Sequence, residues 1–188
     1  MGTPVLRILA VCTANQCRSP LVEFALQRRI DALELPWSVG SAGTQARPGL
    51  LPHPSTRRLL SRHGSQWSGW TSSRLDAELV DSADLILTAS LDNRNQLIRA
   101  WPEAAAKSFT LIPFALHCSE HPAGLAGAGS DHRTLTSWLR EARERLPATQ
   151  VDKDLPDPMG RSSRTFRQVD VMVEMAVSQI LPVPWGWW

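Results

Sequence analysis

Tyrosine is absent from the 188 residues, so this chain cannot be regulated by phosphorylation of its own tyrosines. Cysteine is scarce: Cys12, Cys17 and Cys118 make an odd, low count that does not build a secreted disulfide framework. No run of about 18 apolar residues occurs, which excludes a membrane-spanning helix. The N-terminus lacks a charged stretch followed by an apolar run and a cleavage site, so no signal peptide is expected. These absences point to a reducing cytoplasm, where a conspicuous cysteine is more often reactive than structural. The formal net charge is only +2 and gives nucleic-acid binding no support. What remains is 43% hydrophobic and 20% charged, the composition of a globular protein of one domain over residues 1–188, with no repeat and no linker.

Strand and helix patterns alternate. Val5 to Val11 reads as a buried strand, and Cys12 to Arg18 as a polar loop. Ser19-Pro20 opens a helix whose apolar positions Leu21, Phe24, Ala25, Leu26, Ile30 and Leu33 recur at helical spacing. A second strand runs from Trp37 to Ser41, and a helix from Pro54 stops at His63-Gly64, where glycine suits a left-handed cap. Residues 65–75 read as irregular, 83–88 as a third strand, 92–106 as a helix bent at Pro102, and 109–113 as a fourth strand. Pro122 to Ser130 reads as a flexible Gly/Ala-rich insertion, 135–146 as a charged helix, and 164–180 as a last helix. The tail 182–188, rich in Trp and Pro, is expected to pack on the surface or fray. The alternation predicts an α/β fold with a parallel sheet covered by helices on both faces.

The loop after the first strand carries the chemistry. Five residues separate Cys12 from Arg18, and Ser19 follows at once. In an open parallel sheet, ligands bind beyond the carboxyl ends of the strands. A loop there, running into a helix, turns successive N–H groups toward one point and forms an anion nest. Cys12 lies at its floor, where such a field favours a thiolate, and Arg18 lies at its rim. The planar fork of Arg18 grips two oxygens of a tetrahedral oxyanion, which lysine cannot do. Ser19 is placed to donate to the sulfur. Asn15 tolerates the left-handed conformation that a tight nest needs. Residues 12–20 contain no glycine and no lysine, so neither glycine-rich nucleotide loop fits.

A thiolate attacking phosphorus needs a separate acid for the leaving oxygen. Asp157 stands out because Pro156 and Pro158 fix its backbone, but an Asp-Pro turn is common, and Asp152 and Asp154 compete for the role.

The stretch Val11-Cys12-Thr13-Ala14-Asn15-Gln16-Cys17-Arg18-Ser19-Pro20 resembles the active-site signature of the low-molecular-weight protein tyrosine phosphatases. Ser41-Ala42-Gly43-Thr44, Ala83-Asp84-Leu85-Ile86-Leu87 and Asp157-Pro158 resemble that family's later segments, in its order. The resemblance implies a four-stranded parallel sheet flanked by helices and a hydrolase that uses no cofactor and no metal. It also implies a mechanism in two steps. Cys12 takes the phosphoryl group as a phosphocysteine while Asp157 protonates the leaving group; water activated by Asp157 then hydrolyses the intermediate. Arg18 and the amides of Thr13, Ala14, Asn15, Gln16, Cys17 and Arg18 hold the phosphate oxygens, and Ser19 eases departure of the sulfur. Cys17 resembles the family's second cysteine, which forms a reversible disulfide with the nucleophile. The implied substrates are phosphorylated proteins or small phosphate esters.

Three positions depart from the pattern. Ala14 stands where glycine is usual, so an ordinary negative φ is expected there and a left-handed one at Asn15. Gln16 replaces a residue that is commonly aliphatic; the branch acting on phosphoarginine typically carries threonine there. Met159 replaces the aromatic usually found after Asp-Pro, and the loop from Gln45 to Pro52 offers Leu50 and Leu51 for the opposite substrate wall. Other readings carry less. His117-Cys118-Ser119-Glu120-His121 is a weak metal signal without a second ligand set. Trp67 and Trp70 read as cover for a core edge, and Arg74 as support for the site loops. A module that binds phosphoprotein without turnover is the rival from another class. It needs neither nucleophile nor acid.

Overall fold

The structure, a computed structural model, describes residues 6–121, 125–126, 132–146 and 154–182. Strand β1 (Leu6–Cys12) lies inside a parallel sheet between β2 (Trp37–Gly43) and β3 (Leu85–Thr88), with β4 (Ser108–Thr110) beyond β3, giving the order β2-β1-β3-β4. The seven residues of β1 alternate between two buried faces. Leu6, Ile8, Ala10 and Cys12 join one core with α1 (Arg18–Ala32), α5 (Leu111–Ser119) and α7 (Ser163–Ile180). Leu9 and Val11 join the other with α3 (Ala77–Ser82) and α4 (Leu91–Ala100). Burial on both faces explains why β1 reads as a continuous apolar run apart from Arg7. Two further helices are α2 (Pro54–Arg62) and α6 (His132–Arg145).

The α/β class, the parallel sheet and the helices on both faces agree with the sequence reading. Several boundaries do not, and one helix was not foreseen. The predicted fourth strand over 109–113 ends at Thr110, and Leu111-Ile112-Pro113 begin α5. Proline in a first helical turn loses no helical bond, so it fits there and not in a strand. The predicted helix 92–106 splits: Trp101, held at φ −135° ahead of Pro102, ends α4, and a 3-10 turn spans Pro102–Ala106. Within 65–75 the irregular chain is as expected, but α3 follows at once, its first turn capped by Asp76, whose carboxylate accepts from Leu79 N at 2.9 Å. Gly64, with φ 71°, closes α2 as predicted. Of the 122–130 segment only Leu125 and Ala126 are described, and Leu125 is buried in the first core. The remainder of that segment, Asp152 and residues 183–188 lie outside the described residues.

The sheet register brings two chain segments together at the carboxyl edge. Cys12 pairs with Gly43, and the chain beyond β2 follows the loop beyond β1: Thr44 N donates to Cys12 O and Gln45 N to Thr13 O, both at 2.9 Å. This closeness requires glycine at 43. A Cβ there would lie 2.6 Å from Thr13 O and 2.8 Å from Asn15 N, both backbone atoms that cannot step aside. Gly43→Ala is therefore expected to lower stability by about 1–3 kcal/mol, read as a lower urea midpoint at unchanged slope.

Candidate active site

The loop between β1 and α1 turns back on its own sulfur. Asn15, at φ 52°, is left-handed, and Ala14 is not, as expected. That turn aims the Asn15 amide at Cys12 Sγ, 3.3 Å away, while Ser19 Oγ approaches the same sulfur to 3.0 Å. Cys12, Asn15, Cys17, Arg18 and Ser19 are all buried.

The Asn15 side chain locks this arrangement by using all its hydrogen-bonding groups. Its Nδ2 donates to Ser19 Oγ at 2.9 Å and to Ser41 Oγ at 2.7 Å, and its Oδ1 accepts from Ser73 N at 2.7 Å. Ser41 Oγ donates to Glu23 Oε2 at 2.5 Å, and Trp70 Nε1 donates to the same oxygen at 2.9 Å. With Ser19 Oγ already accepting from Asn15, its own proton is left for the sulfur, the Ala42 carbonyl being farther off at 3.4 Å. Burial pushes the Glu23 carboxyl above its usual range, against the pull of its two donors. Sequence reasoning missed Glu23 and gave Trp70 only a covering role; no local pattern links residues 47 apart. The Arg74 backbone bridges to Gly43 in parallel, and its side chain is exposed.

The Asp157 loop closes the site from the other side. Leu155 N donates to Ala89 O at 2.9 Å, which anchors this loop to the end of β3. Arg18 reaches it twice: Nη1 donates to Leu155 O at 3.4 Å, and Nη2 pairs with Asp157 Oδ2 at 3.3 Å. Asp157 Oδ1 accepts from Met159 N at 3.1 Å, so the carboxylate is held in place although its side chain is 57% exposed. Thr13 Oγ1 accepts from Arg18 Nη2 at 3.5 Å and from Asn93 Nδ2 at 3.0 Å, a contact from α4 that the sequence did not reveal. Asp154 feels the Arg18 charge but bonds elsewhere. Its carboxylate accepts from Leu91 N, the first amide of α4, at 2.8 Å, and burial raises its pKa.

These elements enclose a cavity of about 140 Å³ lined by Thr13, Ala14, Cys17, Arg18, Asp157 and Met159. Met159 thus reaches the cavity. Leu50 and Leu51, 43% and 50% exposed, stand outside its lining, with the Leu51 carbonyl bonded to Gln16 Nε2 at 3.2 Å. Burial, then the neighbouring Cys12, pushes the Cys17 thiol up to about 12.

The cavity thus sets a guanidinium, a carboxylate and the Cys17 thiol on one small volume; Cys12 is not among its lining residues and lies buried in the same loop, its sulfur against Asn15 N and Ser19 Oγ. A guanidinium and a carboxylate beside a loop that carries a cysteine suit the binding of a tetrahedral oxyanion and nucleophilic attack on it. Among the described residues no group of three possible metal ligands forms here. The one such cluster, His63, Asp170 and Glu174, lies on α7 and the end of α2, with His63 Nε2 at 3.0 Å from Asp170 Oδ1 and Glu174 paired with Arg28. At the end of α5 the His117 and His121 rings lie 4.2 Å apart, tilted by 37°, and His117 also packs against Trp138. Trp67 packs on the first core and donates to Ser61 Oγ, which agrees with a covering role.

A family model described as low molecular weight phosphotyrosine protein phosphatase matches residues 7–146. The low molecular weight protein-tyrosine-phosphatase Ptp of Acinetobacter johnsonii is 34% identical over 104 residues, covering 55% of this chain and 70% of that protein. The low molecular weight protein-tyrosine-phosphatase Etp of Escherichia coli K12 is 28% identical over 172 residues, 90% of this chain and 88% of that one. Among solved structures, the YwlE arginine phosphatase from Geobacillus stearothermophilus superposes with a TM-score of 0.68 at 25% identity, covering 94% of this chain and 90% of that one.

Proposed function

The chain belongs to the low molecular weight phosphotyrosine protein phosphatase family of hydrolases, and on that premise we propose that it cleaves phosphomonoesters of protein tyrosine through a phosphocysteine on Cys12. The observation that carries this reading is the meeting of Cys12 Sγ with Ser19 Oγ at the two ends of the loop whose Thr13, Ala14, Cys17 and Arg18 line a cavity, where Arg18 and Asp157 pair at 3.3 Å.

In the first step the sulfur attacks phosphorus in line. The S–P bond forms, the bond to the leaving oxygen breaks, and Asp157 gives that oxygen its proton. In the second, water attacks phosphorus and gives a proton to Asp157, and the S–P bond breaks while the Ser19 hydroxyl stabilises the departing thiolate. Arg18 and the amides of residues 13–18 stay on the equatorial oxygens throughout and supply most of the electrostatic stabilisation. Met159 lines the entrance for the leaving group, and Leu50 takes the opposite, outer rim.

Cys17, whose raised pKa keeps it a thiol, serves as disulfide partner to an oxidised Cys12. The three cysteines are free, which suits a reducing cytoplasm, and among the described residues no helix is long and apolar enough to cross a membrane. The reaction is assigned to one domain over residues 1–188.

Peptides carrying phosphotyrosine, phosphoserine or phosphoarginine test the assignment. Phosphotyrosine is expected to give the highest kcat/KM and phosphoserine none that is measurable. A higher kcat/KM for phosphoarginine moves the chain to the activity that the name of its structural neighbour describes. Tight binding of phosphopeptide with no turnover of any substrate makes it a binding module.

A further inference from the structure

A second groove lies between α2 and the start of α7. It measures about 70 Å³, room for a small anion, and is lined by Ser55, Arg58, Leu59, Arg62, Ser163, Phe166 and Arg167. Leu59 and Phe166 are buried, while Arg58, Arg62 and Arg167 are exposed. Among the described residues no carboxylate pairs with these three arginines. α2 contains no acidic residue, and α7 has none before Asp170. Asp170 is engaged by His63, and Glu174 by Arg28. Among the described residues none of Arg58, Arg62 and Arg167 forms an ion pair; Arg167 only touches Ser163 Oγ, at 3.5 Å.

Three like charges around one groove repel one another, and planar guanidinium forks match the oxygens of carboxylates and phosphates. The groove also adjoins the cavity through shared chain. α2 follows directly on the loop whose His53 N donates to Gln16 O at 2.9 Å, and α7 follows the loop that carries Asp157. The His53 ring stacks on Phe166 with centroids 4.7 Å apart, so a residue of the groove touches a wall of the catalytic loop.

We propose that this groove is a second, non-catalytic oxyanion site that holds an acidic segment of the phosphorylated protein substrate, as clustered carboxylates or a second phosphoryl group. The substrate half of this statement rests on the phosphatase reading; the binding half does not.

The test uses the full chain with Cys12→Ser, which binds without turning over, and labelled phosphotyrosine peptides read by fluorescence anisotropy. One peptide has neutral flanks. Two carry three glutamates, on the N- or the C-terminal side, and a fourth carries phosphoserine instead. At low salt at least one acidic peptide is expected to bind about tenfold tighter than the neutral one, with the advantage shrinking toward 0.5 M salt as screening sets in. A preference shared by the glutamate and phosphoserine peptides shows that carboxylates suffice; a preference for phosphoserine alone assigns the site to phosphate. Adding Arg58→Glu, Arg62→Glu and Arg167→Glu is expected to erase the advantage. The same three changes in the chain with Cys12 intact are expected to keep p-nitrophenyl phosphate turnover within twofold, which also reports folding; Arg62→Ala alone is expected to weaken the advantage in part. Equal affinities for all four peptides, or an advantage that survives the triple change, overturns the site. An advantage abolished by the triple change in a protein that hydrolyses nothing keeps the site and overturns the phosphatase reading.

Discussion

Cys12→Ser is expected to lower the turnover of p-nitrophenyl phosphate by at least about 10⁴-fold, since removing the nucleophile of a covalent mechanism leaves only binding and electrostatic stabilisation. The substitution is nearly isosteric, and a serine oxygen accepts from Asn15 N and exchanges a hydrogen bond with Ser19 Oγ as the sulfur does. The loop and the Arg18 fork therefore stay in place, and inhibition by inorganic phosphate is expected to stay within a few-fold of that of the unmodified chain. What is lost is the attack. A hydroxyl needs a base to become a nucleophile, and the groups on this atom are a backbone amide and another hydroxyl. A rate within tenfold of the unmodified protein, with phosphate binding unchanged, shows that some other group attacks phosphorus and removes Cys12 from the mechanism.

The part of the site that was legible in the sequence is the part in which chemistry and chain order coincide. Cys12, Asn15, Arg18 and Ser19 lie on one turn, and strand, loop and helix fix their relative positions; even the left-handed φ fell at Asn15 and not at Ala14. The supports for that turn come from far along the chain and left no local pattern. Glu23 points from α1 to Ser41 of β2 and to Trp70, and Asn93 reaches Thr13 across 80 positions. Gly43 was visible as part of a motif, but its reason, an approach of backbone to backbone, appears only when the strands are paired. In the fold, β1 was legible as a short continuous apolar run and α1 from Ser19-Pro20 at its start and apolar residues at helical spacing behind it. The boundary at Thr110 was not, because Leu111 and Ile112 suit a strand as well as a buried helix; what settles it is the packing of Phe114, Ala115 and Cys118 in the first core.

Asp157→Ala is expected to divide substrates by their leaving group. p-Nitrophenolate departs without help, so its phosphate ester is expected to lose less than about tenfold. Phenyl phosphate and phosphotyrosine peptides need a proton on the leaving oxygen and are expected to lose about 10²–10⁴-fold, the usual contribution of a general acid. Stability is expected to change little, because the Arg18–Asp157 pair has a half-exposed carboxylate and such pairs contribute little to folding. Asp154 provides the contrast. Its carboxylate accepts from Leu91 N, the first amide of α4, whose N-cap is Ser90, so Asp154→Ala is expected to leave that amide without its partner, at about 1–3 kcal/mol of stability, and to slow all leaving groups alike if it slows any. The geometry favours Asp157 because it alone of the two lines the cavity and touches the guanidinium that would hold the phosphate. A plot of log kcat/KM against leaving-group pKa therefore decides the assignment. The slope is expected to steepen for Asp157→Ala and to stay flat for Asp154→Ala, and the reverse pattern transfers the proton to Asp154.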